Sequence, residues 1–435
     1  MMRYKKEIFV FFLIFFVMVI WNYYFQLLTG DEIWTYGFSF NISNGLIPYR
    51  DFNMIVPPLY MYPLGMMIRV FGNYFILLAI YNSILEIGIM VLLYRKISWK
   101  CLLYFPLLLF LLTNAGYNIL CLFLFLVFLE IYERKIMMRD FYLGLIVCLL
   151  VLTKQTVGGI LLIVTFFLAK DKRKFLLGFL PIAMLFFWYL FQEHAFIEFW
   201  DYCFLGMFDF TSNNVAKDFD LLKIIYFMAL IGLIKLFVTK KDKKLLFILI
   251  FQIIAFPIID IYHILIAIIP ILLYLHHYHF KSRYTLIFTS FFFFLALFYN
   301  IIDVLEANNH VQSLDFMRGK NSKTDFSFVS KLNHYIDEHY ADYDLYFFSD
   351  IAYLIKIDGK RVINKYDLIN NGNMGYNGTK KYIKELDDKC SIKKCLFVLD
   401  AIDTSGQINL EIINHIKKTY VKQNEIYNFI ILKNK

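Results

Sequence analysis

Eleven apolar runs, separated by short charged segments, constrain this chain more than any other feature in it. The longer seven cover residues 8–28, 74–94, 115–132, 175–192, 221–234, 245–259 and 284–302, and the shorter four cover 101–113, 141–153, 156–169 and 261–275. A helix needs roughly 20 apolar residues to cross a bilayer. The four short runs cross only if they tilt or pack inside a bundle. Lipid offers no hydrogen bonds, so each crossing must satisfy its own backbone, and helices do this. The expected fold is therefore a polytopic α-helical membrane protein with about eleven transmembrane helices. Composition agrees: 60% of the 435 residues are hydrophobic and 20% aromatic, where a soluble domain is closer to half apolar. Residues 59–71 are also apolar but contain Pro63 and Arg69, which suits a helix lying in the interface.

Charge orders these runs. Lys and Arg collect in alternate connections: Arg3, Lys5 and Lys6; Arg95, Lys96 and Lys100; Arg134, Lys135 and Arg139; Lys170, Lys172, Arg173 and Lys174; Lys240, Lys241, Lys243 and Lys244; Lys281 and Arg283. The segments between them, such as 114–118 and 260–263, have none. Positive residues stay on the cytoplasmic side, so the N-terminus is expected inside and the C-terminus outside. The net charge of +9 thus reflects membrane topology, and no nucleic-acid partner is expected. The first run has a basic start and is followed by bulky Asn22, Tyr23, Tyr24 and Phe25. It reads as an uncleaved first span rather than a signal peptide. The usage of Ile, Lys, Asn and Phe over Ala fits an AT-rich bacterial genome.

From residue 303 the pattern changes. Residues 344–349, 394–400 and 427–433 read as buried strands, and 326–340, 379–389 and 407–421 as helices between them. The alternation predicts a C-terminal extracytoplasmic α/β domain, 303–435, with a largely parallel sheet, beside a membrane domain, 1–302. Cys390 and Cys395 are positioned to pair if that tail faces an oxidising side. Cys101, Cys121 and Cys148 lie in apolar runs and read as packing residues.

The polar residues that interrupt apolar runs fall on one predicted face. The first outer segment, 29–72, opens with Asp31 and Glu32 and continues through Pro48, Tyr49, Arg50 and Asp51. A carboxylate at this boundary suits a general base toward an acceptor hydroxyl; the plainer reading is a solvated end to the first helix. Arg50 has the planar fork that fits phosphate oxygens, or it merely pairs with Asp51. Lys154 and Gln155 form a tight outer turn where cations are scarce; Lys154 either snorkels or reaches into the bundle to hold a phosphate. Asp260 and His263 break two apolar runs and stand on one helical face. Glu193, His194 and Asp201 open the second long outer segment and are further candidates for the same cavity. No metal-ligand set is evident, and the cofactor requirement stays open.

These residues carry a resemblance. Gly30-Asp31-Glu32, then Gly45-Leu46-Ile47-Pro48-Tyr49-Arg50-Asp51-Phe52, then Val56-Pro57-Pro58-Leu59-Tyr60 resemble the first outer loop of GT-C-fold membrane glycosyltransferases. The nearest are bacterial relatives of the protein O-mannosyltransferase and lipid A aminoarabinose transferase group. Leu152-Thr153-Lys154-Gln155-Thr156 and the segment from Phe256 through Asp260 to His263 extend it, so that it covers about residues 1–300. The resemblance implies a sugar donor on a polyprenyl phosphate, a catalytic base at Asp31 with Glu32 beside it, and an inverting transfer. Arg50, Asp51, Lys154, Gln155, Asp260 and His263 would bind substrate. The chain is shorter than the mannosyltransferases and lacks their large central outer domain, so the acceptor is left as an envelope glycan, lipid or protein. A transporter or flippase for a lipid-linked envelope precursor is the alternative; such proteins often show paired halves, and no repeat is seen here.

Overall fold

The computed structural model of the protein describes all residues except 1, 25–29, 112–115, 210–220, 257–258, 280–289, 299–300, 303–327, 350–351, 358, 360–361, 364, 367–368, 370–372, 401–408, 428 and 435. The side chains of residues 2–5, 24, 30–31, 221, 278–279, 328 and 357 also lie outside the described part. Among the described residues, ten α-helices open the chain: α1 (Met2–Tyr24), α2 (Gly30–Ser43), α3 (Met61–Phe71), α4 (Ile76–Ile97), α5 (Phe105–Leu111), α6 (Tyr117–Glu133), α7 (Arg139–Val151), α8 (Gln155–Leu168), α9 (Lys172–Gln192) and α10 (Phe196–Trp200). A π-helical turn, Asp201–Leu205, continues α10. Then come α11 (Leu221–Lys240), α12 (Lys243–Phe251) and α13 (Ile261–His279).

Among the described residues four helical stretches are long and apolar enough to cross a membrane: Lys6–Tyr23, Ile76–Leu111, Lys172–Gln192 and Leu222–Lys240. Three shorter apolar helices, Met61–Phe71, Gln155–Leu168 and Ile261–His277, accompany them. This differs from eleven self-sufficient crossings, for local reasons. Run 101–113 is divided between a 3-10 turn, Ser98–Tyr104, and the seven residues of α5. Run 245–259 ends its α-helix at Phe251 and tightens into a 3-10 turn, Gln252–Ala255. The long helices nonetheless present apolar side chains outward: Ile8 and Phe9 on α1, Leu177, Met184 and Trp188 on α9, Met228 and Ile231 on α11. Such bands are out of place against water and suit hydrocarbon.

Residues 30–43, expected as loop, are helical. Ile33, Tyr36 and Phe40 recur at helical spacing, with Ile33 and Tyr36 buried. Against α2 lies α3, burying Met61, Leu64, Gly65 and Ile68 and turning Met66, Val70 and Phe71 outward.

Helices α7 and α9 approach closely because glycines face each other. A Cβ on Gly144 would lie 2.0 Å from the Phe175 carbonyl oxygen, and one on Gly178 2.0 Å from that of Phe141. Small residues at such crossings let backbones touch where lipid gives no hydrophobic drive. Gly178→Val is therefore expected to force the pair apart and cost about 1–3 kcal/mol, read as a lower melting temperature in detergent.

Charged residues from the ends of α4 and α6 and the start of α12 meet in one cluster. Glu130 of α6 binds Lys96 at 2.8 Å and Arg95 at 3.0 Å, and Glu133 meets Lys244 at 3.1 Å and also Lys96. Asn118 begins the same helix, about 22 Å away at 1.5 Å per residue.

The tail contains α14 (Phe328–Tyr340), β1 (Asp344–Phe348), α15 (Ala352–Ile357), α16 (Gly378–Cys390), β2 (Cys395–Asp400), α17 (Leu410–Thr419), β3 (Val421–Ile426) and β4 (Phe429–Lys433). The sheet order is β1-β2-β4-β3. Among the described strands β1 and β2 pair in parallel, with Leu345 opposite Leu396, and the other two pairs are antiparallel; Leu345 also makes an isolated parallel bridge to Val362. The largely parallel sheet expected is thus corrected to a mixed one. The reason is β3, an exposed edge strand whose Lys422, Gln423, Asn424 and Glu425 carry no apolar alternation; charge on an edge strand deters further pairing. Cys390 and Cys395 form a disulfide.

Candidate functional site

Lys154 is the last of the three residues between α7 and α8 and caps the start of α8. Its backbone is extended, with φ −147° and ψ 102°, so the chain reverses there and the side chain turns into the bundle, 8% exposed. Its Nζ donates to Asn118 Oδ1 at 2.9 Å and to the Ile254 carbonyl at 3.1 Å. An ammonium has three donors; the third has no hydrogen-bond partner among the described residues. The face of Tyr117 lies 5.6 Å from Nζ.

Asn118 passes the contact on. Its Oδ1 must face the lysine, so its Nδ2 faces His263 Nε2, at 3.4 Å. That nitrogen then accepts, and Nδ1 carries the proton. Nδ1 lies 2.8 Å from Asp260 Oδ1, which also accepts the His263 backbone N–H at 2.8 Å. Four side chains from the start of α6, the α7–α8 turn and the start of α13 thus form one line, Lys154–Asn118–His263–Asp260, with a fixed tautomer at its imidazole. Three of them stood out in the sequence. Asn118 did not, because its segment drew notice only for lacking charge.

Helix α2 comes close to the start of α6. Gly116, just before α6, has φ +47°, and a Cβ there would lie 3.2 Å from Thr35 Oγ1. Thr35 is one turn along α2 from Asp31. The backbone of Asp31 is therefore in the first turn of the helix beside Asn118; its side chain lies outside the described part. Glu32 is 2% exposed and interacts electrostatically with Tyr60, so it faces the protein rather than solvent. Tyr60 donates to Asn82 of α4. One turn further along α4, Glu86 is 0% exposed, and neither of its carboxyl oxygens has a hydrogen-bond partner among the described residues. An acidic residue within a spanning run is itself a functional signal, one the run 74–94 had concealed.

Arg50 and Asp51 are placed differently. Arg50 grips both oxygens of Asp51, Nε at 2.9 Å and Nη2 at 3.0 Å, and reaches Glu193 with Nη1 at 3.0 Å. Asp51 also accepts the Ile47 N–H at 2.8 Å. Burial pushes the Asp51 carboxyl up, but Arg50 and that N–H outweigh it and hold it below its ordinary value. The guanidinium is 40% exposed on its side chain, and its fork is engaged by carboxylates. No hydrogen bond or ion pair among the described residues links Arg50 or Asp51 to the lysine line. Tyr49 beside them is fully buried at φ +72°, with its hydroxyl donating to the Val56 carbonyl at 2.9 Å. A bulky residue held there marks a strained turn.

Gln155 ties this loop to the line. Its Nε2 donates to the carbonyls of Ile55, at 3.0 Å, and Cys203, at 2.8 Å. The Leu59 N–H donates to the Leu152 carbonyl at 3.1 Å. Asp201 and His194 are outside the line, and Asp201 instead accepts a backbone N–H of the tail. Among the described residues no three or more His, Cys, Asp or Glu side chains converge as metal ligands.

Fold and site together define a helical protein of membrane type, with a buried lysine–amide–imidazole–carboxylate line and an α/β tail. No protein-family model and no curated protein sequence matches the chain. It is similar to the crystal structure of the Archaeoglobus fulgidus oligosaccharyltransferase in complex with Zn and sulfate, at 12% identity and TM-score 0.46, over 94% of this chain and 71% of that one. It is also similar to the archaeal oligosaccharyltransferase AglB from Archaeoglobus fulgidus in complex with an inhibitory peptide and a dolichol-phosphate, at 12% identity and TM-score 0.43, over 92% and 70% of the two chains. Likeness at these scores does not establish a shared fold, and the chemistry has to come from this chain's own residues.

Proposed function

We propose that the protein is a GT-C-type membrane glycosyltransferase that moves a sugar from a polyprenyl-phosphate donor to a cell-envelope acceptor on the outer face. The observation that carries this reading is the buried Lys154, with one N–H that no described residue accepts, held by Asn118 near the helix that begins at Gly30 and carries Asp31 in its first turn. That N–H would meet the donor's phosphate. The Asp31 carboxylate would take the proton of the acceptor hydroxyl as its oxygen bonds to the anomeric carbon. The bond from that carbon to the phosphate oxygen breaks, and the ammonium stabilises the phosphate that departs. Asp260 would keep His263 in the tautomer that holds Asn118, and so keep Asn118 facing Lys154. The leaving group is a lipid phosphate, so no nucleotide fold is required. Arg50 and Asp51 belong to the reading as residues that shape the mouth, and Gln155 as the one that fixes it.

The eleven-span topology belongs to the same proposal, with short helices crossing inside the bundle. The basic cluster around Glu130 and Glu133 fits the inner end, and the Cys390–Cys395 disulfide fits a tail in an oxidising compartment. The test is a reconstituted one. The full chain in proteoliposomes is supplied with labelled polyprenyl-phosphate hexoses and pentoses. The expected result is release of polyprenyl phosphate with label moving to an envelope-fraction acceptor. Intact donor crossing between leaflets without cleavage would favour the transporter instead.

A further inference from the structure

Residues 373–378, just before and at the start of α16, have no place in the transfer chemistry, yet they join the tail to the bundle through several polar contacts. Asn53, 1% exposed, donates its side-chain amide to the Asn373 carbonyl at 2.7 Å, and its backbone N–H to the Lys365 carbonyl at 3.3 Å. Three residues after Asn373, the Tyr376 N–H donates to Asp201 Oδ1 at 2.9 Å. Between them Gly375 has φ +80°, and a Cβ there would lie 2.3 Å from Asp201 Oδ2. Asn377 adds an N–H to Asp209 at 3.1 Å, and Lys381 an ion pair to Asp201 at 3.7 Å.

Asn53 and Asp201 are also two residues from the carbonyls that Gln155 holds, Ile55 and Cys203. The contacts therefore close on themselves: Asn373 to Asn53, along the chain to Ile55, across Gln155 to Cys203, along the π-helical turn to Asp201, and through Tyr376 back to Asn373. Within the belt the Cys203 thiol also lies 3.8 Å from the Met54 carbonyl. Gln155 is the neighbour of Lys154, and π-helical turns are rare and occur frequently at functional sites.

We infer that this belt makes the tail part of the site, with Asn53, Asp201 and Gly375 as positioning residues whose contacts hold loop 46–60 and the Lys154 turn in register. The proposal rests on the donor reading for its functional consequence, though not for its structural one. A closed ring has a signature that separate contacts lack: cutting it once releases all of it, so a second cut adds little.

The test uses the full chain in nanodiscs. Hydrogen exchange and farnesyl phosphate binding are measured for Asn53→Ala, Asp201→Ala, the double variant and Asp201→Asn. Asp201→Ala is expected to raise exchange in residues 46–56 about five- to tenfold, the equivalent of one buried hydrogen bond, although Asp201 contacts none of those amides. Farnesyl phosphate affinity should fall by a similar factor. The double variant should match either single one. Asp201→Asn, which keeps an oxygen for the Tyr376 N–H, should restore both readings. Exchange confined to the tail loop, or losses that add, would overturn the belt. If the wild-type chain does not bind farnesyl phosphate, the donor reading fails, and the exchange pattern alone decides the belt.

Discussion

Asp31→Asn is expected to lower sugar transfer about 10^2- to 10^4-fold, the usual worth of a positioned proton acceptor, in a protein that still folds. The separation of the two effects follows from where the residue stands. Helix α2 is held by Ile33, Tyr36 and Phe38 packing inward, with Phe38 edge-on to Tyr353 of the tail at 5.8 Å; the charge at its first turn adds only a small dipole term, about 0.3–1 kcal/mol. An amide fits the same space but cannot accept a proton at neutral pH. Donor binding should persist, since the cationic part of the site comes from other helices. Glu32→Gln is the necessary comparison: Glu32 is buried beside Tyr60, so its loss should be felt as instability more than as a selective loss of turnover. Normal transfer by Asp31→Asn at saturating donor would remove Asp31 from the chemistry and direct attention to Glu32 or Glu86.

What could be read from the chain beforehand has a physical pattern. Apolar runs declare helices, so the helical bundle was legible. Lys154, Asp260 and His263 stood out because a charge in an apolar setting is costly. Asn118 is uncharged, and nothing local distinguishes an asparagine that bridges two charged groups from one that ends a helix; only the convergence of α6 with the α7–α8 turn reveals it. Arg50 illustrates the opposite case. Its chemistry suits phosphate, but Asp51 next in sequence and Glu193, brought in by α9, engage the fork. The edge strand β3 was hidden by its own solvent-facing charge. Glu86 is hidden by its setting, because a single acid in a 22-residue helix barely lowers its hydropathy.

Lys154→Met should weaken isoprenoid-phosphate binding strongly while leaving the bundle assembled. Methionine matches the lysine stem in length and flexibility, so packing against Tyr117 survives and the change is one of charge. The ammonium serves two protein acceptors and, under the proposed chemistry, the ligand. Removing one partner of a buried charged contact costs about 2–5 kcal/mol, so farnesyl phosphate affinity should fall at least about thirtyfold. A second consequence is internal. Without the ammonium, Asn118 Oδ1 has no donor, and the amide is free to turn its oxygen toward His263. The imidazole can then donate from Nε2 and lose the Nδ1–H that Asp260 accepts, a tautomer change visible in the 15N shifts of a histidine-labelled protein. Arginine is no substitute, because its flat fork is too large for a niche built around a point charge, and Lys154→Arg should recover only part of the binding. The two readouts separate the possible failures. Unchanged affinity in Lys154→Met would show that the lysine only ties α6 to the 3-10 turn at Ile254, whereas lost affinity with an unchanged imidazole would keep the phosphate contact and discard the relay through Asn118.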